Sequence, residues 1–262
     1  MLADYHVHTS FSSDSDYPME EVVKHAIDIG LNEICFTDHV DYFMDDDTHL
    51  IDYEVYFKEY KRLMNKYKDK IILKCGIEFG VQMHKIPEFE DDFAKNDFDF
   101  VILSNHQIDD KEFWNYEYQK GKNQLQYNHN YYIAILNIVT NYKDYSVLGH
   151  LDMIKRYDQT GILDDTVNEE IIKNILKIVI ADGKGIEVNT SSYRYGLPDL
   201  TPSKTILTWY YELGGRIITI GSDSHKESDL GDNIRQVKED LKNIGFRKFC
   251  TFDKMIPEFY EL

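Results

Sequence analysis

Residues 4–9, Asp4-Tyr5-His6-Val7-His8-Thr9 ("DYHVHT"), place two histidines one residue apart behind a short apolar start. In a strand, residues i and i+2 point to the same face. The spacing therefore predicts a strand over 2–8 that aims two imidazoles at one spot. What receives them depends on how many other strands arrive there.

Working outward, six further runs rich in Val, Ile or Phe predict strands. They are 33–38 "EICFTD", 71–79 "IILKCGIEF", 99–105 "DFVILSN", 146–150 "SVLGH", 185–189 "GIEVN" and 216–221 "RIITIG". Amphipathic stretches between them predict helices over 18–30, 53–67, 125–142, 168–182 and 202–214. Pro18 and Pro202 suit first helical turns, and Gly30, Gly183 and Gly214 suit helix ends. Seven strands alternating with helices predict an α/β fold with a parallel sheet rolled into a barrel. With no low-complexity linker, residues 1–262 read as a single domain, and a hydrophobic content of 42% supports one sizeable core.

Functional side chains of α/β barrels gather at the C-terminal ends of the strands. Here those ends read His6/His8, Asp38-His39, Glu78, His106, His150, Asn189 and Asp223/His225. The other histidines, His25, His49, His84 and His129, fall in helices or loops. A single strand-end histidine is more often structural. The joint recurrence of His, Asp and Glu at one face points to metal ligation instead. Imidazole with carboxylate suits Zn, Mn or Fe. The donors exceed one tetrahedral shell, which predicts two to three divalent ions with a carboxylate such as Glu78 between two of them. Clustered divalent ions clamp a phosphoryl group and activate water at neutral pH. Arg156 and Arg194 reach over the same face, and arginine binds phosphate oxygens bidentately.

Charge and cysteine content narrow the options. A formal net charge of −18 argues against broad binding to nucleic acid or to an anionic membrane, because such affinity rests on Lys and Arg. A small phosphorylated substrate in a locally positive pocket stays compatible with it. Cys35, Cys75 and Cys250 lie in separate apolar runs and read as buried thiols of a cytoplasmic protein. The start, "MLADYHVHTS", has neither the basic nor the apolar region of a signal peptide, and no apolar run reaches membrane-spanning length. The sequence is silent on oligomeric state.

"HVHTSFSSD", "FTDH", "GIEFG", "SNHQ", "GHLD" and "GSDSH" resemble, in order, the successive motifs of the polymerase-and-histidinol-phosphatase (PHP) domain family. The resemblance implies a distorted seven-stranded (β/α) barrel, TIM-like, with a trinuclear metal site at the C-terminal face of the strands. Within the family, "SNHQIDDKEFW", "GHLDMIKRY" and "EVNTSSYRYGLPDLTPS" look most like the stand-alone members that hydrolyse L-histidinol phosphate in histidine biosynthesis. Carried over by motif, the resemblance implies one metal held by His6, His8, Glu78 and Asp223. Glu78 would bridge to a second metal on His106 and His150, and Asp14, His39 and His225 would hold a third. Glu78, Asp223 and His225 would be catalytic, and Arg156 and Arg194 would bind the phosphate. Some members carry a histidine where this chain has Asp14, and Asp16 is close enough to compete for the role. Asp38 precedes a ligand and reads either as an orienting group or as structural. The other readings are a family nuclease, a protein-tyrosine phosphatase, or a metal-binding module without catalysis.

Overall fold

The computed structural model describes residues 1–43 and 49–262. In chain order the strands are β1 (Ala3–Val7), β2 (Glu33–Phe36), β3 (His39–Val40), β4 (Ile72–Gly80), β5 (Phe100–Ser104), β6 (Gln107–Ile108), β7 (Lys111–Glu112), β8 (Val147–Leu148), β9 (Gly185–Asn189), β10 (Ile218–Gly221), β11 (Lys248–Asp253) and β12 (Ile256–Glu261). The α-helices are α1 (Met19–Asp28), α2 (Tyr53–Tyr67), α3 (Ile86–Lys95), α4 (Gln124–Asn141), α5 (Glu169–Ala181), α6 (Lys204–Glu212) and α7 (Ile234–Ile244).

Seven strands run parallel in the order β1-β2-β4-β5-β8-β9-β10, and each is followed by a helix. The ends of this sheet meet. Val7 pairs with Ser224, His8 N donates to Ser224 O at 2.9 Å, and Asp223 N donates to His6 O at 2.8 Å. The result is a seven-stranded, nearly closed (β/α) barrel of the TIM-like kind, as the strand–helix alternation predicts. All seven barrel strands are where the sequence places them, although β8 is only two residues long.

The helices follow local chemistry. Asp52 caps α2 by accepting from Val55 N, and Asn123 and Gln126 form a reciprocal capping box at the start of α4. Gly30, Gly183 and Gly214 have positive φ just past α1, α5 and α6, as a helix terminus requires. Pro202 is a correction. It lies outside α6, which starts after the cap Ser203, whose hydroxyl accepts from Ile206 N; Pro18 likewise stands just before α1, as its cap residue. Helices α3 and α7 have no counterpart in the sequence reading. Neither do β3 and the β6–β7 hairpin, because two-residue strands carry no periodic signal, nor does the longer β11–β12 hairpin.

One local departure shapes the site. Asp4 pairs with Ile34 and Val7 with Phe36, so β1 has one residue more than β2 between those pairs. Such a bulge breaks strict alternation. Tyr5 stacks edge-on against Phe100 of β5, while its neighbour His6 reaches Glu78 of β4 and Glu187 of β9. Consecutive side chains of β1 thus both reach across the barrel.

Candidate metal centre

Glu78 is the hub. It is fully buried near the end of β4. Its Oε2 lies 3.1 Å from His6 Nε2, 3.5 Å from His8 Nε2 and 2.9 Å from His39 Nδ1. Its Oε1 lies 2.8 Å from His150 Nε2 and 3.3 Å from His106 Nε2. One carboxylate therefore faces two separate groups of imidazoles. Strand β3 explains how His39 arrives. It pairs parallel with β4 and sets His39 level with Glu78.

Asp223 and Asp14 complete two further corners. Asp223 Oδ1 is 3.6 Å from His6 Nε2 and 3.4 Å from His8 Nε2. Asp14 Oδ2 is 3.6 Å from His39 Nε2 and 3.2 Å from His225 Nε2. Both Asp14 and Asp16 are exposed, but it is Asp14 whose carboxylate reaches the imidazoles of His39 and His225. His6, His8 and Asp223 can hold an ion together, as can His6, Glu78 and His150, or His8, His39 and His225.

The electrostatics are those of imidazoles and carboxylates crowded together out of water. Burial alone would lower the pKa of His6, but Glu187, Glu78 and Asp223 outweigh it and hold His6 well above its ordinary value. Burial likewise opposes Glu78, yet His6, His39 and His106 keep its carboxyl well below the usual range. His8 moves the other way, pushed well down by burial and by the neighbouring His225 and His39. Burial would also lower His39, but Glu78 raises it to about 9. Among the described residues, His8 Nε2, His39 Nδ1 and His225 Nε2 are buried and face these carboxylates at 2.9–3.5 Å without the geometry of a hydrogen bond. Buried polar atoms of native proteins are normally satisfied. Imidazole nitrogens left open beside carboxylates are the donor set of a Zn, Mn or Fe site, so the residues present fit divalent ions.

A second layer orients these donors. Asp38 accepts from Thr9 N at 2.6 Å and from Ser12 Oγ at 2.9 Å, and Ser12 Oγ lies 3.0 Å from His8 Nδ1. Burial pushes Asp38 up to about 6. It acts on His8 through Ser12 and touches no imidazole itself. Asp41 Oδ1 lies 3.0 Å from His106 Nδ1. Gly80 makes that approach possible, because a Cβ there would stand 1.8 Å from Asp41 Oδ1. Asp41 and Glu187 are absent from the sequence reading although both carried signals. Asp41 sits two residues beyond His39, and Glu187 interrupts an apolar strand, where a carboxylate needs a buried partner.

The two arginines part company. Arg156 is buried and lines the cavity above the donors, with its guanidinium 2.6 Å from Ser191 Oγ and 3.4 Å from Asp223 Oδ2. Arg194 donates to the carbonyl oxygens of Ser222 and Asp223, both at 2.8 Å, and lies 3.4 Å from Asp229. It braces the segment that carries Asp223 and His225, outside the cavity lining. Lys155, next to Arg156, meets neither cavity nor solvent. It is buried between Asp152 at 2.8 Å and Asp165 at 2.6 Å.

The cavity over these donors holds about 400 Å³. Phe43, His49, Glu112, Trp114, Tyr157 and Tyr195 form its outer wall. His49 is thus a histidine that the sequence reading left aside as a loop residue.

A parallel (β/α) barrel that gathers six imidazoles and several carboxylates at one face defines a metal-binding barrel protein. Comparison with known proteins agrees and is more specific. The PHP domain family matches residues 4–191. The histidinol-phosphatase of Lactococcus lactis is 34% identical over 259 residues, covering 96% of this chain and 94% of the relative. The probable histidinol-phosphatase of Thermotoga maritima is 28% identical, covering 97% of each. The crystal structure of the Lactococcus lactis enzyme complexed with Zn, L-histidinol and phosphate superposes with a TM-score of 0.90 at 32% identity, covering 98% of both chains. The putative histidinol phosphatase of Listeria monocytogenes, at 21% identity and a TM-score of 0.75, shares the fold, covering 89% of this chain and 99% of that one. The chain belongs to the PHP domain family.

Proposed function

We propose that this chain is a metal-dependent phosphomonoesterase that hydrolyses L-histidinol phosphate to L-histidinol and phosphate, a reaction of histidine biosynthesis. The observation that carries the reading is the placement of Arg156. It puts a buried guanidinium beside Asp223, on the wall of a cavity also lined by His39, His106, His150 and His225, the imidazoles on the open side of the donor cluster. Cations below and a planar cation at the side are what a phosphomonoester dianion requires. The relative that shares the fold along almost the whole chain holds Zn, L-histidinol and phosphate.

Three donor sets are assigned on this geometry: His6, His8, Glu78 and Asp223; Glu78, His106 and His150; and Asp14, His39 and His225. Divalent ions held there supply Lewis acidity and a water acidified enough to attack phosphorus at neutral pH. The chain's own groups do the rest. Glu78 offers one oxygen to each of two sets and fixes their separation. Arg156 binds the equatorial phosphate oxygens and balances the charge that builds on them. Arg194 keeps Asp223 and His225 in register by holding the backbone carbonyls at 222 and 223. His225 is the most exposed of the six imidazoles and borders the cavity, where the ester oxygen departs.

The outer wall suits the rest of the substrate. Glu112 is the carboxylate of the lining that stands apart from the donor cluster, and it receives the ammonium. Trp114 and Tyr195 offer aromatic faces to the imidazole. We assign residues 1–262 to one catalytic unit, in the cytoplasm. The three cysteines are buried and free, and among the described residues no helix is long and apolar enough to cross a membrane.

Purified protein stripped with a chelator and reloaded with Mn, Zn or Fe should release phosphate rapidly from L-histidinol phosphate. Release from an aryl phosphate, a phosphotyrosyl peptide or a bis-ester should be far slower. Equal release from the aryl ester would retain the phosphomonoesterase and remove the substrate. No release from any ester with metal loaded would remove the enzyme.

A further inference from the structure

The centre of β9 carries a carboxylate that the three donor sets do not use. Glu187 is fully buried on β9, level with Thr219 of β10. Its Oε1 lies 2.5 Å from His6 Nδ1, the ring nitrogen turned away from Glu78. Its Oε2 accepts from His150 N at 2.9 Å and lies 3.4 Å from Asn189 Nδ2. His6 faces two donor sets and His150 belongs to one of them. The site is shaped for this side chain. A Cβ at Gly221, on β10, would stand 2.6 Å from Oε1, closer than a side chain can approach.

We propose that Glu187 is a positioning residue that fixes His6 with Nε2 toward the metal cavity and ties the His150 backbone to it, so that one carboxylate sets the ligands of two metal positions. The inference rests on the metal-dependent reading above. Imidazole can present either nitrogen, and the hydrogen bond made by one decides the role of the other. With Nδ1–H donated to Glu187, the Nε2 lone pair is left facing Glu78 at 3.1 Å and Asp223 at 3.6 Å. Every group that Glu187 meets is a donor: an imidazole N–H, a backbone N–H and an amide NH2. A carboxylate can accept from all three. A glutamine has one acceptor oxygen, and its own NH2 would confront either the His150 N–H or His6 Nδ1. The first loosens His150, and the second turns His6 to the tautomer that cannot bind metal through Nε2.

The test is zinc binding by Glu187→Gln, measured by competition with a chromophoric chelator, with circular dichroism to confirm the fold. The expected result is affinity weakened by about 10- to 100-fold, the range typical of such outer partners, with two of the bound ions weakened together. Affinities within about threefold of wild type in a folded variant would overturn the proposal, as would weakening of a single ion. Should the variant fail to fold, nitrogen-15 spectra of the zinc-loaded wild type decide. They should show His6 protonated at Nδ1, with that proton protected from solvent exchange. Protonation at Nε2, or a freely exchanging Nδ1 proton, would overturn it. Zinc binding by the wild type without phosphate release would remove the phosphatase reading and leave Glu187 as assigned. A wild type that binds no zinc would remove both.

Discussion

The two ends of the barrel bury polar side chains in opposite ways. At the C-terminal end of the strands, six imidazoles crowd around Glu78, and several of their nitrogens stay without a hydrogen-bond partner among the described residues. At the other end, Tyr5 donates to the buried Glu33 and accepts from Phe252 N at 2.8 Å. There Asp99 accepts from Cys75 N at 2.9 Å and Lys254 N at 3.2 Å, and Lys74 pairs with Asp253 at 2.6 Å. The β11–β12 hairpin thus closes that end with bonds that satisfy one another. A polar cluster that closes on itself holds a fold together. One whose open atoms all face a single cavity is built to take something in.

The contrast can be broken by substitution, and the largest effect falls at the open end. Glu78→Gln should lower kcat by about a thousandfold, the several kcal/mol that metal stabilisation supplies. Its far-UV dichroism should match wild type, and a comparable loss of secondary structure would place Glu78 in the scaffold. At a boundary between the two kinds of cluster, Lys155→Met should destabilise the fold by about 3–5 kcal/mol, because Asp152 and Asp165 would keep a buried negative charge without its cation. Urea denaturation reads this directly.

Arg156→Met should cost about a hundredfold in kcat/KM, as loss of one preorganised donor to a developing charge does. Bound metal should stay at wild-type levels. Arg194→Met sharpens the point. It should lower metal occupancy by releasing the segment of Asp223 and His225, and elemental analysis separates the two arginines. At the closed end, Tyr5→Phe leaves Glu33 and Phe252 N short of a partner. It should cost about 1–3 kcal/mol of stability, with kcat per folded molecule unchanged.

The smallest effect lies outside both ends. Glu20 receives Lys66, Arg62 and Tyr67 and ties α1 to α2, which brings its pKa down from 4.5 to about 2. A depressed carboxylate stabilises the fold above its unfolded value and loses that contribution as pH falls through the folded one. Acid unfolding of Glu20→Gln should therefore differ from wild type at pH 5 by less than about 1 kcal/mol, since the pair is solvent-screened. The difference should shrink as pH falls toward about 2, vanish below it, and shrink in high salt.

Several of these residues were legible without coordinates, for reasons particular to each. His6, His8, Glu78, His106, His150 and Asp223 end apolar runs, and a polar ligand at the end of a buried strand is conspicuous. Helix α2 has the bounds that its pattern predicts, Tyr53–Tyr67, because an aspartate cap and a long amphipathic face define it. Arg194 was harder. A basic residue past β9 suits a phosphate contact or a brace equally well, and its partners are backbone carbonyls, which sequence does not distinguish. Asp41 depends on the two-residue strand β3 and on the missing Cβ of Gly80, both of them products of packing.

What the sequence by itself determined was the alternation of seven buried strands with helices and the chemistry carried at the strand ends. Both follow from local rules of periodicity and residue type. Only the tertiary structure decided the division of labour among those groups. Which oxygen of Glu78 faces which imidazole depends on strand register and barrel closure, as does the choice of Asp14 over Asp16. The bulge that turns both Tyr5 and His6 across the barrel, and the glycine at 221 that admits Glu187 behind His6, depend on the same register. The physical reason is range. A hydrogen-bond partner or a metal ligand is set by distances of a few ångströms between residues as much as 247 positions apart, as Tyr5 and Phe252 are, and no local pattern encodes them.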